Sequence, residues 1–573
     1  MVEPERHIKR TFFRALSTAL LIIGLAAIAT TKAASHPQTE PVSPSLDPAQ
    51  ADEIGKIFAP FVKPDSPGCS VAVLKDGRII FARGYGWANL EYDVPITPQT
   101  VFEAGSVSKQ FTAAAILILA AEGKLSLEDD VRKHLPEVPD FGRPITLRHL
   151  LTHTSGLRDQ WNLLSTAGRP MEQAVHTLEE ILDLVSRQQE LNFPPGDDYL
   201  YCNTGYALAA WVVQRVAGQT LADFSRECIF EPLGMNHTKW RDDFTAIVKG
   251  RATAYSADNE GRFHQNMPFT NVYGNGGLLT TASDLLLWAE NFWNPRVVGR
   301  ESLNLMEVPG RLNDGTTLAY ALGLRREAYR GLSEVSHGGS TAGYRAFLAR
   351  YPDQHTAVAL LSNFAGVNPT QLARKVVDIV LAGHFKDAAK PLRLPVTAAE
   401  LMKRAGLFIN PKNEAVLRLE SKNGKLLMAA GRRERELIYI GAGHFVAAEG
   451  GEYVFAAGAG NEPDRWRHIP AGDPPSTYRR VNQAQPTPEK LAEYSGRYWS
   501  AELEIFTSVA VKEGRLVMSH RPTPTIVLEP TDEDGFLSES GSVQVRFRRD
   551  EAGRVEGFSL SSGRVIRLKF SRV

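Results

Sequence analysis

Ser106 and Lys109 stand three residues apart in EAGSVSKQFTAAAILILAAEGKL, the single Ser-x-x-Lys of the chain. Residues i and i+3 share a helical face, which makes the hydroxyl and the amine neighbours. A serine hydroxyl is a weak nucleophile until a base takes its proton. Lysine serves as that base only when its pKa falls from about 10.4 toward neutrality, which an apolar setting brings about. The AAAILILAA run that follows supplies such a setting. A helix start also directs backbone N–H groups and a positive dipole end at a developing oxyanion. A solvated first-turn lysine is the plain alternative.

Two later stations carry similar chemistry. Tyr201 and Asn203 lie in PPGDDYLYCNTGYALAAWVV, a loop running into a helix, with Asn203 placed as its N-cap. A tyrosine there can relay a proton and an asparagine amide can hold a substrate carbonyl; a packing aromatic and a capping residue are the alternatives. His337, Gly338, Gly339 and Ser340 precede a closing hairpin. Glycines let a backbone approach a ligand, whereas His337 alone reads equally as a structural histidine. There is no His-Glu-x-x-His or Cys-x-x-Cys, so a metal site has no footing in the motifs. Cys69, Cys202 and Cys228 are too few for a disulfide scaffold and are expected to be buried thiols, at most one pair of them bridged.

The elements around these stations read as α+β. CSVAVLKDGRIIFARGYG alternates around Asp76-Gly77 and predicts a β-hairpin. From Gln110 to about Glu290 helical periods dominate, as in GYALAAWVVQRVAGQ, closed by Gly218. Strand patterns return in YRAFLARYPDQHTAVALLSNF, and QLARKVVDIVLAGHF reads as a last amphipathic helix. Strands at both ends with helices between predict one antiparallel sheet built from both ends, with helices packed on it, over residues 56–390.

Beyond Pro391 the chain repeats itself. LMKRAGLF at Leu401 matches LAEYSGRY at Leu491, NGKLLM at Asn423 matches EGRLVM at Glu513, and TYRRV matches the terminal KFSRV. A duplicated all-β, barrel-like module over 396–482 and 488–573 follows.

With 573 residues, two to four domains are expected. Lys+Arg and Asp+Glu both number 65, which argues against a nucleic-acid binder. Arg6, Lys9, Arg10 and Arg14 precede an apolar run from Ala15 to Ala29 and small residues through Ala34, the layout of a secretory signal over 1–33. The run falls short of the roughly 20 residues of a spanning helix, so a periplasmic or secreted protein with no stable membrane insertion is expected, an uncleaved anchor being the alternative. Residues 34–55 read as a linker.

Taken together, Ser106/Lys109, Tyr201/Asn203 and His337-Gly338-Gly339 resemble, in that order, the three motifs of the serine β-lactamase and penicillin-binding-protein superfamily. GYGWANLEYDVPITPQTVFEAGSVSKQFTA, LLTHTSGL, IFEPLGMNHTKW and GNGGLLTTASDLLLWA resemble its class C-like branch, which includes esterases and D-aminopeptidases, over about residues 55–385. The resemblance implies an acyl-enzyme on Ser106, with Lys109 handling its proton and Tyr201 as second acid/base. It further implies Asn203 on the substrate amide, His337 facing the nucleophile from the sheet edge, and an oxyanion hole from the N–H groups of Ser106 and Ser340. The same resemblance implies that no metal or organic cofactor is needed. Two positions depart from the pattern. Histidine replaces the lysine that holds a substrate carboxylate in β-lactamases and transpeptidases, and Cys202 replaces a serine. The paired modules resemble D-aminopeptidases, in which a loop of the last barrel reaches the active site; SHRPTPTIVLEP, 519–530, is the candidate on position. The expected function is hydrolysis of D-amino-acid peptide amides or small esters, with a peptide or small molecule as substrate. A true β-lactamase or penicillin-binding protein, or a non-catalytic binding relative, are the alternatives. No Gly-x-Ser-x-Gly elbow supports an α/β-hydrolase, and oligomeric state is not legible.

Overall fold

The computed structural model describes residues 46–573 except 172, 387–391, 431–432, 448–449, 460–463, 471 and 521–523. The expected signal, 1–33, and most of the expected linker lie outside the described residues. Its last part is not a linker, because Asp47 caps a helix, α1 (Pro48–Phe58), by accepting from Ala49 N.

A six-stranded antiparallel sheet joins both ends of the first domain. Its strands are β1 (Cys69–Lys75), β2 (Arg78–Tyr85), β3 (Arg325–Tyr329), β4 (Leu332–Thr341), β5 (Tyr344–Tyr351) and β6 (Thr356–Ser362), in the order β3-β4-β5-β6-β1-β2. The β1–β2 turn forms where expected: Asp76 and Gly77 both have positive φ, 48° and 76°, as a two-residue hairpin requires. Successive side chains serve opposite faces. Val71, Val73, Phe347, Ala349, Val358 and Leu360 join a core with α1 and α5 (Pro369–Val380), while Ala72, Leu74, Ala346, Leu348, Ala359 and Leu361 join the core of the helical region.

That region is built on α2 (Lys109–Ala121), α3 (Gln160–Thr166) and α4 (Asn203–Ala217). Helix α2 is buried from Lys109 through Leu117 on every side, as a helix apolar all round should be, and packs on α4. Gly218, left-handed at φ 73°, ends α4 as its sequence predicts.

Two closed eight-stranded barrels follow, one from Gly406–Ile409 to Ser476–Val481, the other from Gly496–Ser500 to Val565–Arg572. The duplication is exact in its local geometry: Asn423-Gly424 and Glu513-Gly514 turn the same hairpin with φ of 54° and 72°, and 51° and 73°. The first barrel has its own core around Phe408, Phe445 and Trp466, whereas the buried apolar side chains of the second run continuous with the helical region. A buried ion pair reinforces that junction: Arg158 Nη1 donates to Glu502 Oε2 at 2.9 Å, with the two side chains 1% and 5% exposed.

All three cysteines are free; Cys69 and Cys202 are buried as expected, but Cys228 is only half-buried. No helix among the described residues is long and apolar enough to cross a membrane.

Candidate active site

Ser106 sits in a single 3₁₀ turn, Gly105–Ser108, that leads into α2. The turn is pressed against β4. Gly105 has φ 51°, and a Cβ on it would stand 2.6 Å from Ser340 N; a Cβ on Gly339 would stand 2.0 Å from Ala104 O. Glycine is therefore required at both positions for the strand to lie beside the serine. Gly338 has no such neighbour, its hypothetical Cβ meeting nothing closer than 3.9 Å.

The Lys109 amine is buried and its three contacts are fixed. Nζ lies 3.2 Å from Ser106 Oγ, 2.9 Å from Asn203 Oδ1 and 2.6 Å from the carbonyl oxygen of Asn275. Segment 274–278 is pinned along the first turn of α2, where Thr112 Oγ1 donates to Gly274 O, Ala104 N to Leu278 O and Leu278 N to Ser108 Oγ. Burial above all, and then the charge of Arg564, hold the amine well below the usual lysine range, with Asp159 and Cys202 opposing. Two of the three partners can only accept. A neutral amine gives its two protons to Asn203 Oδ1 and Asn275 O, which turns its lone pair to the Ser106 hydroxyl.

Asn203 is not the helix cap that its position suggested. Cys202 occupies the cap position and Asn203 is the first helical residue. Its amide is oriented by Asp159, whose Oδ2 accepts from Asn203 Nδ2 at 2.8 Å and from Asn203 N at 2.7 Å. The same carboxylate caps α3, accepting from Trp161 N and Asn162 N. Cys202 turns its sulfur away, toward Leu157 O at 3.3 Å.

Tyr201 packs tilted against His153 and edge-on to Tyr320, with the Lys109 amine 4.9 Å from its ring centre. Its Oη is buried without a hydrogen-bond partner among the described residues. Burial raises this phenol above the ordinary tyrosine value, with the neighbouring Ser106 hydroxyl opposing. The site therefore presents Tyr201 as a neutral proton donor.

His337 is held by its neighbours in one tautomer. Nδ1 faces Gly338 O at 2.6 Å and so carries the proton; Nε2 lies 2.9 Å from Tyr320 Oη and accepts. Burial, then the charge of Lys109, push it down to about 3. At neutral pH it carries no charge for a substrate carboxylate.

These groups line one cavity of about 840 Å³ that includes Ser106, Tyr201, Asn203, His337, Gly338, Gly339 and Ser340. Sequence reasoning missed Asp159, Asn275, Tyr320, Arg564 and His153, although His153 lies in the LLTHTSGL stretch and takes a positive φ of 61°. Of the barrel segment expected at the site, 519–530, residues 526–530 form a strand of the barrel wall and 521–523 lie outside the described residues. Among the described residues the barrel reaches the cavity through the turn between its last two strands, β7 (Val555–Ser562) and β8 (Val565–Arg572). Its Arg564 guanidinium lies 4.7 Å from the centre of the Tyr201 ring.

A serine and a buried lysine one turn apart, set between a helical region and the antiparallel strand β4, are the nucleophile and base of a serine hydrolase with the β-lactamase fold. The family described as Beta-lactamase matches residues 54–381, more than half of the chain, and the chain belongs to that family. A second family, described as a domain of unknown function (DUF3471), matches 480–572, the second barrel. A D-aminopeptidase of Brucella canis is 26% identical over 514 residues, covering 86% of this chain and 93% of the relative. Among solved structures, the octameric penicillin-binding protein homologue from Pyrococcus abyssi superposes with a TM-score of 0.53 at 23% identity, over 83% of this chain and 99% of that one. The D-amino acid amidase from Ochrobactrum anthropi does so with a TM-score of 0.50 at 22% identity, over 59% and 99%. Both share the fold.

Proposed function

We propose that this serine hydrolase works through an acyl-enzyme on Ser106, cleaving amides of D-amino-acid peptides or small esters outside the cytoplasm. The observation that carries the reading is the Lys109 amine, buried, depressed in pKa and 3.2 Å from Ser106 Oγ. Lys109 takes the Ser106 proton as the oxygen attacks the acyl carbon. Tyr201 gives a proton to the leaving nitrogen or oxygen and takes one back from the attacking water in deacylation, while protonated Lys109 returns its proton to the departing Ser106 Oγ. Asn203 holds Lys109 and meets the substrate amide, and the N–H groups of Ser106 and Ser340 receive the oxyanion. The D-aminopeptidase relative, aligned over 93% of its length, supports D-amino-acid amides as the substrate class. A neutral His337 weighs against β-lactam carboxylate recognition through the third motif.

The test is intact-mass spectrometry of the protein, beside Ser106→Ala, after exposure to a short-chain p-nitrophenyl ester and to D- and L-alanyl p-nitroanilides. An added acyl mass on the native protein alone, with D preferred over L, is the expected result. Equal labelling of Ser106→Ala would overturn the assignment of the nucleophile.

A further inference from the structure

The cavity around Ser106 is unbalanced in charge. Among its described lining residues are one carboxylate, Glu103, and three guanidinium groups, Arg241, Arg345 and Arg564. Glu103 is already committed: Arg241 grips it through Nε at 2.9 Å and Nη2 at 3.2 Å, and the pair is almost wholly buried. Arg241 Nη1 remains buried without a hydrogen-bond partner. Among the described residues Arg345 donates to backbone carbonyls, Ala342 O at 2.9 Å and Tyr344 O at 2.7 Å, and to no carboxylate. With Arg241 and Glu103 neutralising each other, a substrate ammonium entering this cavity meets no unpaired carboxylate among its described lining residues and two further guanidinium groups, Arg345 and Arg564.

Arg564 is the cation best placed to meet a ligand. Its backbone is locked to the catalytic domain, its carbonyl accepting from Asn192 Nδ2 at 3.0 Å and its neighbour Ile566 N donating to Asn192 Oδ1 at 2.8 Å. Its side chain is 40% exposed, lies over the Tyr201 ring and reaches Asp159 only at 3.6 Å through Nη1. Asp159 in turn is occupied by Asn203 and by the first turn of α3. Among the described residues the guanidinium thus keeps donors for a further acceptor in the cavity that Ser106 also lines.

We propose that Arg564, supplied by the second barrel, is a specificity-determining residue that binds an anionic group of the substrate, a carboxylate beside the scissile acyl bond. The third motif cannot supply that charge, and the barrel hairpin, which lines the same cavity, does. Among D-amino-acid amides, this favours acylated compounds that carry a free carboxylate over those with a free α-ammonium, which remain poorer substrates. This rests on the acyl-enzyme reading above for the location of the scissile bond, but binding can be tested without turnover.

The experiment compares N-acetyl-D-alanylglycine, N-acetyl-D-alanylglycinamide and D-alanylglycinamide, which are anionic, neutral and cationic. Binding is measured by calorimetry on the full-length Ser106→Ala protein at low ionic strength, and hydrolysis on the Ser106 enzyme. The expected result is affinity falling from anion to neutral to cation by about tenfold at the first step, the scale of one charge-assisted hydrogen bond. In Arg564→Gln that step disappears, in Arg564→Glu it reverses, and in Arg564→Lys part of it stays. Equal affinity for the anion and the amide, or a preference for the cation, overturns the proposal. So does an anion preference that Arg564→Gln leaves intact. Anion preference in binding with no acylation of Ser106 by any of the three, or by p-nitrophenyl acetate, sustains Arg564 while overturning the hydrolase reading.

Discussion

Asp159 Oδ2 accepts from Asn203 Nδ2 at 2.8 Å, and this one bond decides which end of the Asn203 amide faces Lys109. With the nitrogen committed to the carboxylate, the oxygen must turn to the amine. Asp159→Asn can satisfy the α3 cap but offers a donor where two Asn203 donors need an acceptor. Its expected effect is a fall of about 100-fold in Ser106 acylation, the scale of a misplaced catalytic group, with the far-ultraviolet dichroism unchanged. Stopped-flow release of p-nitrophenol measures it; an unchanged burst rate would mean that Asn203 is oriented by something else.

Lys109 predicts the pH profile. Its amine is the active base when neutral, and burial with Arg564 nearby lowers its pKa, so acylation should rise with pH through a midpoint well below 10.5 and then level off. Replacing Arg564 by Gln removes one of the causes and should move that midpoint upward. Lys109→Met should cost about 10²–10⁴ in acylation rate and abolish the titration. A burst rate in Lys109→Met equal to that of the native enzyme would assign the base elsewhere.

His337 is buried, neutral and held near 3, against 6.5 in an unfolded chain. Between those values the unfolded state binds a proton that the folded state refuses, so ΔG of unfolding falls as pH drops from 6.5 toward 3. The slope from this one group approaches about 1.4 kcal/mol per pH unit in that window. His337→Gln removes the titration and retains a donor and an acceptor for Gly338 O and Tyr320 Oη. Thermal midpoints at pH 7 and pH 5 should therefore converge in the variant relative to the native protein. Identical pH sensitivity in both proteins would show that other groups govern acid stability.

These relationships were unequally legible in the sequence. Ser106 and Lys109 are legible in their spacing and the apolar run that follows, and the Asp76-Gly77 hairpin and the Leu401/Leu491 duplication are equally local. Tyr201, Asn203 and His337 stand out only through the resemblance of the three motifs taken together. Asn275 was not found because it acts through its main-chain carbonyl, which every residue possesses. Asp159 looks like one more helix cap, and its second task depends on a helix that starts 44 residues later. Arg564 had no local signal at all. Which of a barrel's turns meets the active site is decided by docking, here through Asn192 on one side and Ile566 on the other.

The docking itself yields a last prediction. Arg158 Nη1 pairs with Glu502, while Nη2 donates to Ile566 O at 3.3 Å and Arg567 O at 3.4 Å, so one side chain clamps the hairpin that carries Arg564. Removing the guanidinium leaves the Glu502 carboxylate buried and unpaired, which costs about 3–5 kcal/mol. Arg158→Met should lower the thermal midpoint and weaken discrimination between the anionic and neutral D-alanylglycine compounds, since Arg564 loses its support. Arg158→Met combined with Glu502→Leu removes the stranded charge and should recover most of the stability. It should not recover the discrimination, because the carbonyls of Ile566 and Arg567 still lack their donor. If the double variant is no more stable than the single, the ion pair is not what the interface depends on, and the continuous apolar packing between the second barrel and the helical region alone holds the hairpin in place.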